Sequence, residues 1–280
     1  MVLTPSGIVL TNNHVIEGAT SITARDVGNG RTYRAVVVGY DEERDIAVLR
    51  LQNASGLATV ALGDSSDVRV GDKVVALGNA DGRGGTPAVA TGQVTSLHQS
   101  IAATDGPSGN AEQLTGLIRS NVGIRQGYSG GPLVNTAGQV IGMNTAGSTR
   151  YRVKSGLTQT RAYAVPSGQA DSVAGQIRAG KSSATVHIGA TAFLGVGLQS
   201  DSPVSGAAVA GVQAGSPAAR AGLAAGDVIT SLGGHPITSS SGVQDALVTQ
   251  HPGDKVTVGW TDQAGQAHTA TVILATGPAG

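Results

Sequence analysis

A mostly β chain in two unequal units is the fold class this sequence predicts. Three observations carry it. Through residue 165 the apolar positions come as short β-branched runs broken by Gly, Asp, Asn and Pro. Between 166 and 180 the apolar spacing becomes helical. From about 186 a second set of strands and short helices begins. At 280 residues two domains are expected, with enough chain to bury a sizeable core.

Met1-Val2-Leu3 reads as a strand entering the turn Thr4-Pro5-Ser6-Gly7, and Gly7-Ile8-Val9-Leu10 as the next strand. Because the chain opens inside a strand and carries no signal peptide, a fragment or processed form is expected, with the export signal and the first strand or strands absent. Ala35–Tyr40, Ile46–Leu51, Lys73–Gly78 and Gln139–Met143 are further strands, and Val68-Arg69-Val70-Gly71-Asp72 is a turn feeding one of them. Repeated β-branched runs with regular breaks argue for barrels or a sandwich. The polar stretches 79–90, 102–113 and 146–160 are loops. Ala170, Val173, Ala174 and Ile177 fall on one helical face, with Pro166 suited to the first turn and Gly180 to the stop. The expected divisions are therefore 1–165, a helix and linker at 166–185, and 186–280. In the last part, Ser216, Pro217 and Gly222 cap, open and stop a short helix, Gly226–Ile229 leads into a strand, and Ser239–Gln250 is a second helix.

Eighteen basic and 18 acidic residues cancel, and only 2% of the residues are aromatic. No basic patch points to nucleic acid or an anionic surface as partner. There is no cysteine, hence no disulfide, zinc thiolate or thiol nucleophile, which is compatible with an oxidising compartment. No run of 18 apolar residues is present to span a membrane as a helix.

Gly127-Tyr128-Ser129-Gly130-Gly131-Pro132-Leu133 is the segment richest in chemistry. A serine between glycines, turning into an apolar strand, presents a hydroxyl on flexible backbone, and the N–H groups of Gly127 and Ser129 could form an oxyanion hole beside it. With 43 glycines in the chain, such a pattern alone is a common turn. Upstream, however, His14 follows a strand and Asp45 opens the run Ile46-Ala47-Val48-Leu49. A histidine after a strand is commonly structural, and five others are present: His98, His187, His235, His251 and His268. An aspartate before a strand is commonly a turn residue, as Asp41 is expected to be. The conjunction is what matters, because the order His14, Asp45, Ser129 is that of the chymotrypsin class of catalytic triads.

Thr11-Asn12-Asn13-His14-Val15-Ile16, Asp45-Ile46-Ala47-Val48-Leu49, Gly127–Asn135 and Ala162-Tyr163-Ala164-Val165-Pro166-Ser167 together resemble the HtrA serine proteases, over nearly the whole chain. The resemblance implies a chymotrypsin-like double β-barrel, N-terminally truncated here, followed by one PDZ domain of α+β type. It implies an endopeptidase acting on unfolded or exposed polypeptides, in which Ser129 attacks the peptide carbonyl, His14 moves the proton and Asp45 holds His14. It implies no metal or organic cofactor, an extracytoplasmic location and a homotrimer. Phe193-Leu194-Gly195-Val196-Gly197-Leu198 resembles the carboxylate-binding loop of PDZ domains. Leu194, Gly195 and Val196 are then expected to bind a C-terminal peptide, with Val243, Leu247 and Ala246 of the second helix flanking the groove.

Two departures from the family pattern keep a second expectation open, that of a peptide-binding or chaperone-like protein whose protease domain is inactive or at rest. Tyr128 stands where Asn is usual, beside the nucleophile, and Asn121 stands for the usual Asp. Position 123, six before the serine, is Gly rather than an acid. A pocket walled by Gly123, Ile124 and residues 143–146 would favour small or medium apolar side chains over Lys or Arg.

Overall fold

The computed structural model describes residues 1–103, 112–145, 151–152, 158–159, 161–199 and 205–279. They fall into two units, Met1–Lys181 and Ser182–Ala279.

The first unit begins with an antiparallel sheet of β1 (Ile8–Thr11), β2 (Ile22–Arg25), β3 (Thr32–Asp41) and β4 (Ile46–Leu51), in which β4 lies between β1 and β3 and β2 pairs with the first residues of β3. Ile46, Ala47 and Val48 are fully buried, as expected of a central strand with both faces covered. Residues 1–3 turn back on β1, with Leu3 N–H donating to Ile8 O and Leu10 N–H to Met1 O, at 2.7 and 2.8 Å. The pairing of Thr11 with Ala47 has a direct consequence for the site. Chain leaving β1 at Asn12 emerges beside the residue that opens β4, which is Asp45.

The second half of this unit runs β5 (Lys73–Gly78), β6 (Ala88–Ala103), β7 (Glu112–Ser120), β8 (Pro132–Val134), β9 (Val140–Asn144), the small pair β10 (Tyr151–Arg152) and β11 (Thr158–Gln159), and β12 (Ala162–Pro166). Six of these close a barrel in the order β12-β7-β6-β5-β8-β9. Of the expected pair of barrels, the second closes, whereas the described residues of the first form an open sheet. The barrel interior holds Val74, Ala76, Val94, Ile118, Leu133, Ile141 and Ala164. Helix α1 (Ser167–Arg178) buries Ala170, Val173, Ala174 and Ile177, the face that its periodicity predicts, and belongs to the first unit. Pro166 ends β12 and precedes the helix rather than entering its first turn; Gly180, at φ +67°, follows its end.

The second unit contains β13 (Val186–Ile188), β14 (Ala192–Phe193), β15 (Val196–Leu198), β16 (Ala207–Val212), α2 (Pro217–Ala221), β17 (Val228–Leu232), β18 (His235–Pro236), α3 (Ser240–Val248), β19 (Lys255–Thr261), β20 (Ala267–Ile273) and β21 (Ala275–Thr276). Its sheet runs β15-β16-β17-β19-β20, with β18 on β17, and β14 pairs with β21. Leu194, Val209, Ile229, Leu232, Val258 and Trp260 form the core. Helix α2 has the expected ends: Ser216 Oγ accepts from Ala219 N–H at 3.1 Å, Pro217 is the first helical residue, and Gly222 takes φ +95°. In α3, Val243 and Ala246 are core residues and Leu247 is half-buried against the core, so only Leu247 of the three expected groove residues is partly open. Among the described residues no helix is long and apolar enough to cross a membrane.

Candidate active site

Asp45 sits in the turn between β3 and β4 with φ +53°, a left-handed conformation that a non-glycine residue holds only where its surroundings over-determine it. Four bonds do so. The backbone N–H of His14 donates to Oδ1 (3.0 Å), His14 Nδ1 lies 3.0 and 2.9 Å from the two carboxylate oxygens, the Thr145 hydroxyl donates to Oδ2, and Asn12 Nδ2 donates to the Asp45 carbonyl (2.9 Å). The Asp45 side chain is 1% exposed and the His14 ring 16%. A buried carboxylate survives only when its lone pairs are occupied in this way. Because an ionised carboxylate can only accept, Nδ1 carries the proton, and Nε2 is left as the basic nitrogen.

Asp41 is the instructive contrast. It is equally buried, but its carboxylate binds Arg44 of the turn that follows it, through the guanidinium at 2.6 Å and the backbone N–H at 3.1 Å. Contrary to expectation it is not itself in the turn, but is the last residue of β3, paired with Ile46. The other described contacts of histidine with carboxylates are on the surface: His251 with Asp254 and His268 with Asp262.

Ser129 reaches this pair through two connectors. Its hydroxyl donates to the Thr145 carbonyl at 3.0 Å, and Thr145 is the residue whose own hydroxyl holds Asp45. The next N–H along the chain, that of Gly130, donates to Asn12 Oδ1 at 2.6 Å and to the Asn144 carbonyl at 2.9 Å. Gly130 must be glycine, since a Cβ there would lie 2.3 Å from Thr11 Oγ1. The three residues singled out in the sequence are thus gathered in one place. Neither Thr145 nor Asn12 is marked by the sequence as holding them, although Asn12 lies two residues before His14.

The backbone before Ser129 is clamped from one side. The Gln126 carbonyl accepts from Asp81 N–H (3.0 Å) and the Gly127 carbonyl from Asn79 N–H (2.8 Å). Gly127 has φ +91°, and a Cβ on it would lie 2.0 Å from Asn79 O. Among the described residues, the N–H groups of Gly127 and Ser129 have no protein acceptor. Tyr128 does not crowd the nucleophile: its ring is a member of the barrel core, 2% exposed, and it rests against Gly78, where a Cβ would come within 2.8 Å of the ring. Asn121 is also structural, its Oδ1 accepting from Gln93 N–H (2.7 Å) and its own N–H donating to Gln93 O (3.1 Å), which extends the β6–β7 ladder. Gly123 is exposed with open space around it, but Ile124 and Met143 are buried, so these two cannot wall an open pocket as the sequence led us to expect. Ala146, and most of the stretches 102–113 and 146–160, lie outside the described residues.

In the second unit, Gly195 has φ +87°, and a Cβ on it would lie 2.1 Å from Ser216 Cβ. The Leu194 carbonyl accepts from Ala218 N–H and the Gly195 carbonyl from Gln213 N–H, both at 2.9 Å. The Leu194 side chain is core, 1% exposed, so only its backbone could meet a ligand. β15, which follows, ends the sheet order.

Residues 1–143 match the trypsin-like peptidase domain and residues 192–272 the PDZ domain. A solved structure of the HtrA-type protease AlgW with a decapeptide aligns over all of this chain and 82% of AlgW, with 30% identity and a TM-score of 0.54. The chain belongs to the HtrA family. Serine protease PepD of Mycobacterium tuberculosis is 37% identical over 290 residues, covering 98% of this chain and 60% of PepD. The periplasmic pH-dependent serine endoprotease DegQ of Escherichia coli is 37% identical over 261 residues, covering 90% of this chain and 53% of DegQ. This HtrA chain therefore spans a little over half the length of these curated relatives.

Proposed function

We propose that this chain is a serine endopeptidase with the triad His14, Asp45 and Ser129, acting on unfolded or exposed polypeptides. The observation that carries the reading is the fully occupied Asp45 carboxylate holding His14 Nδ1, tied through Thr145 to the Ser129 hydroxyl. For reaction, the Ser129 hydroxyl turns from the Thr145 carbonyl to His14 Nε2, which takes its proton as Oγ attacks the peptide carbonyl and then gives it to the leaving amine. Asp45 keeps the tautomer and stabilises the imidazolium. The amides of Gly127 and Ser129 receive the oxyanion; in support, the carbonyl preceding the Gly127 amide, that of Gln126, is held by Asp81 N–H, and the one preceding the Ser129 amide, that of Tyr128, by Gly131 N–H, so each amide turns away from its own bonded carbonyl. Labelling by a fluorophosphonate and hydrolysis of casein, both abolished in Ser129→Ala, test the reading; a folded wild type that stays unlabelled with and without an added C-terminal peptide would sink it.

The backbone amides at Leu194, Gly195 and Val196 bind the carboxylate of a C-terminal peptide that adds as a strand to the edge of β15. AlgW, solved with peptides, supports this assignment. One observation favours a second reading, that of a resting enzyme: Ser129 spends its proton on the Thr145 carbonyl. Labelling that appears only after a C-terminal peptide is added distinguishes the two readings. An extracytoplasmic location is supported by periplasmic relatives. A homotrimer is supported by the family resemblance alone, and light scattering tests it.

A further inference from the structure

We infer that Asn12 is a positioning residue that sets the nucleophile against the acid. The inference rests on the serine-protease reading above. Asn12 is fully buried, and its amide spans two loops that are far apart in sequence. Nδ2 donates to the Asp45 carbonyl at 2.9 Å, and Oδ1 accepts from Gly130 N–H at 2.6 Å. The amide orientation is forced, because a carbonyl only accepts and a backbone N–H only donates.

Each contact falls on a peptide group that governs the chemistry. Holding the Asp45 carbonyl fixes the left-handed residue whose carboxylate orients His14. Holding Gly130 N–H fixes the plane of the Ser129–Gly130 peptide, and with it the direction in which the Ser129 side chain leaves the backbone. Thr145 also connects acid and nucleophile, but its bond to Ser129 is the one that must break when the hydroxyl turns to His14. Asn12 binds only backbone, so its brace persists through that rotation. Few side chains can take its place. Aspartate has no donor, leucine has neither partner, and a hydroxyl must use one atom for both. The requirement for Asn12 is therefore chemical as well as steric.

The test uses the full chain with Asn12→Ala, Asn12→Asp and Asp45→Asn, alone and combined. A misplacement of the order of an ångström costs about 10²-fold in rate. Asn12→Ala is accordingly expected to lower the fluorophosphonate acylation rate and kcat by about that factor, with KM close to wild type. Because one of its two bonds acts through Asp45, its loss should cost distinctly less once Asp45→Asn is present, the remainder coming from the Gly130 arm. Asn12→Asp keeps shape and the acceptor for Gly130 but adds a buried charge near His14. Its kcat is expected to fall at least as far, because an acceptor then faces the Asp45 carbonyl, with the acidic limb of its pH profile moved upward. The low-field proton of His14 Nδ1, read by NMR, should shift in both variants, and that readout needs no activity. The inference is overturned if Asn12→Ala acylates at the wild-type rate, or if its loss is as large in the Asp45→Asn background as alone. Should Asn12→Ala not fold, a wild-type rate and unshifted pH profile in Asn12→Asp overturn it. A wild type that is not labelled at all refutes the protease reading instead, and the NMR shift still tests the brace.

Discussion

Two backbone turns, one in each unit, solve the same problem with different means. At Gly127 and at Gly195 a glycine sits near φ +90°, a Cβ would collide with its neighbour at about 2 Å, and nearby carbonyls are bonded on one side of the turn. In the function proposed above, each turn offers its amides to an anion. The difference lies in what holds them. The Gly127 turn is clamped by amides of the loop at 79–81, where Asp81 itself is left-handed at φ +57°. The Gly195 turn is held by the capped helix α2 and the residues leading into it, through Ala218 N–H and Gln213 N–H. A turn held by a loop can be released by moving the loop, whereas one fastened to a helix cap is set when the domain folds. Under that proposal the first meets charge that exists only in a transition state, the second a carboxylate that is always charged.

The comparison can be broken from either side. Ser129→Ala should have the largest effect, lowering kcat by about 10⁴–10⁶-fold while leaving peptide affinity at Gly195 unchanged; titration calorimetry alongside casein hydrolysis checks both. Gly127→Ala should lower kcat by about 10²–10³-fold if the amide faces the oxyanion, with wild-type circular dichroism showing that the barrel survives. Thr145→Val removes a donor to a buried carboxylate and should cost roughly ten- to a hundredfold in acylation rate. Gly195→Ala should weaken C-terminal peptide binding by at least about tenfold. It should leave the rate on a short chromogenic peptide unchanged, and an equal loss of that rate would falsify the division of labour between the two turns.

The smallest effect is expected at the surface. Asp262 is held below the usual carboxylate range, first by its bond to His268 and then by the backbone N–H groups of Gln266 and Ala264. A depressed carboxyl favours the fold above the unfolded value near 4 and loses that contribution as pH falls through the folded value. His268→Ala should therefore lower Tm at pH 7 only slightly, with the difference from wild type closing as pH falls through the acid range.

Several elements were legible because local rules decide them. The face of α1, the cap and stop of α2 and the strand at Lys73–Gly78 follow from periodicity, Ser-Pro-Gly punctuation and β-branched runs. The roles of Tyr128, Asn121 and Ile124 were not legible. Each was read by its distance along the chain from Ser129, but barrel closure turns Tyr128 and Ile124 into the core and makes Asn121 part of a ladder. Val243 and Ala246 escaped in the same way, since helical spacing marks a buried face without saying whether a groove or a core covers it. Thr145 and Asn12 carried no signal of their own, because a single Thr or Asn gains its partner only when segments about 100 residues apart meet.

By itself the sequence determined the order of the chemistry-bearing residues, the two-unit division and the places where only glycine can turn the chain, all of which depend on covalent order and local conformational preference. Tertiary structure alone decided which of two buried aspartates faces a histidine. Asp41, the last residue of β3, and Asp45, the last of the turn that follows, lie four residues apart. What separates them is that the pairing of Thr11 with Ala47 delivers His14 to one carboxylate, while Arg44 in the same turn occupies the other.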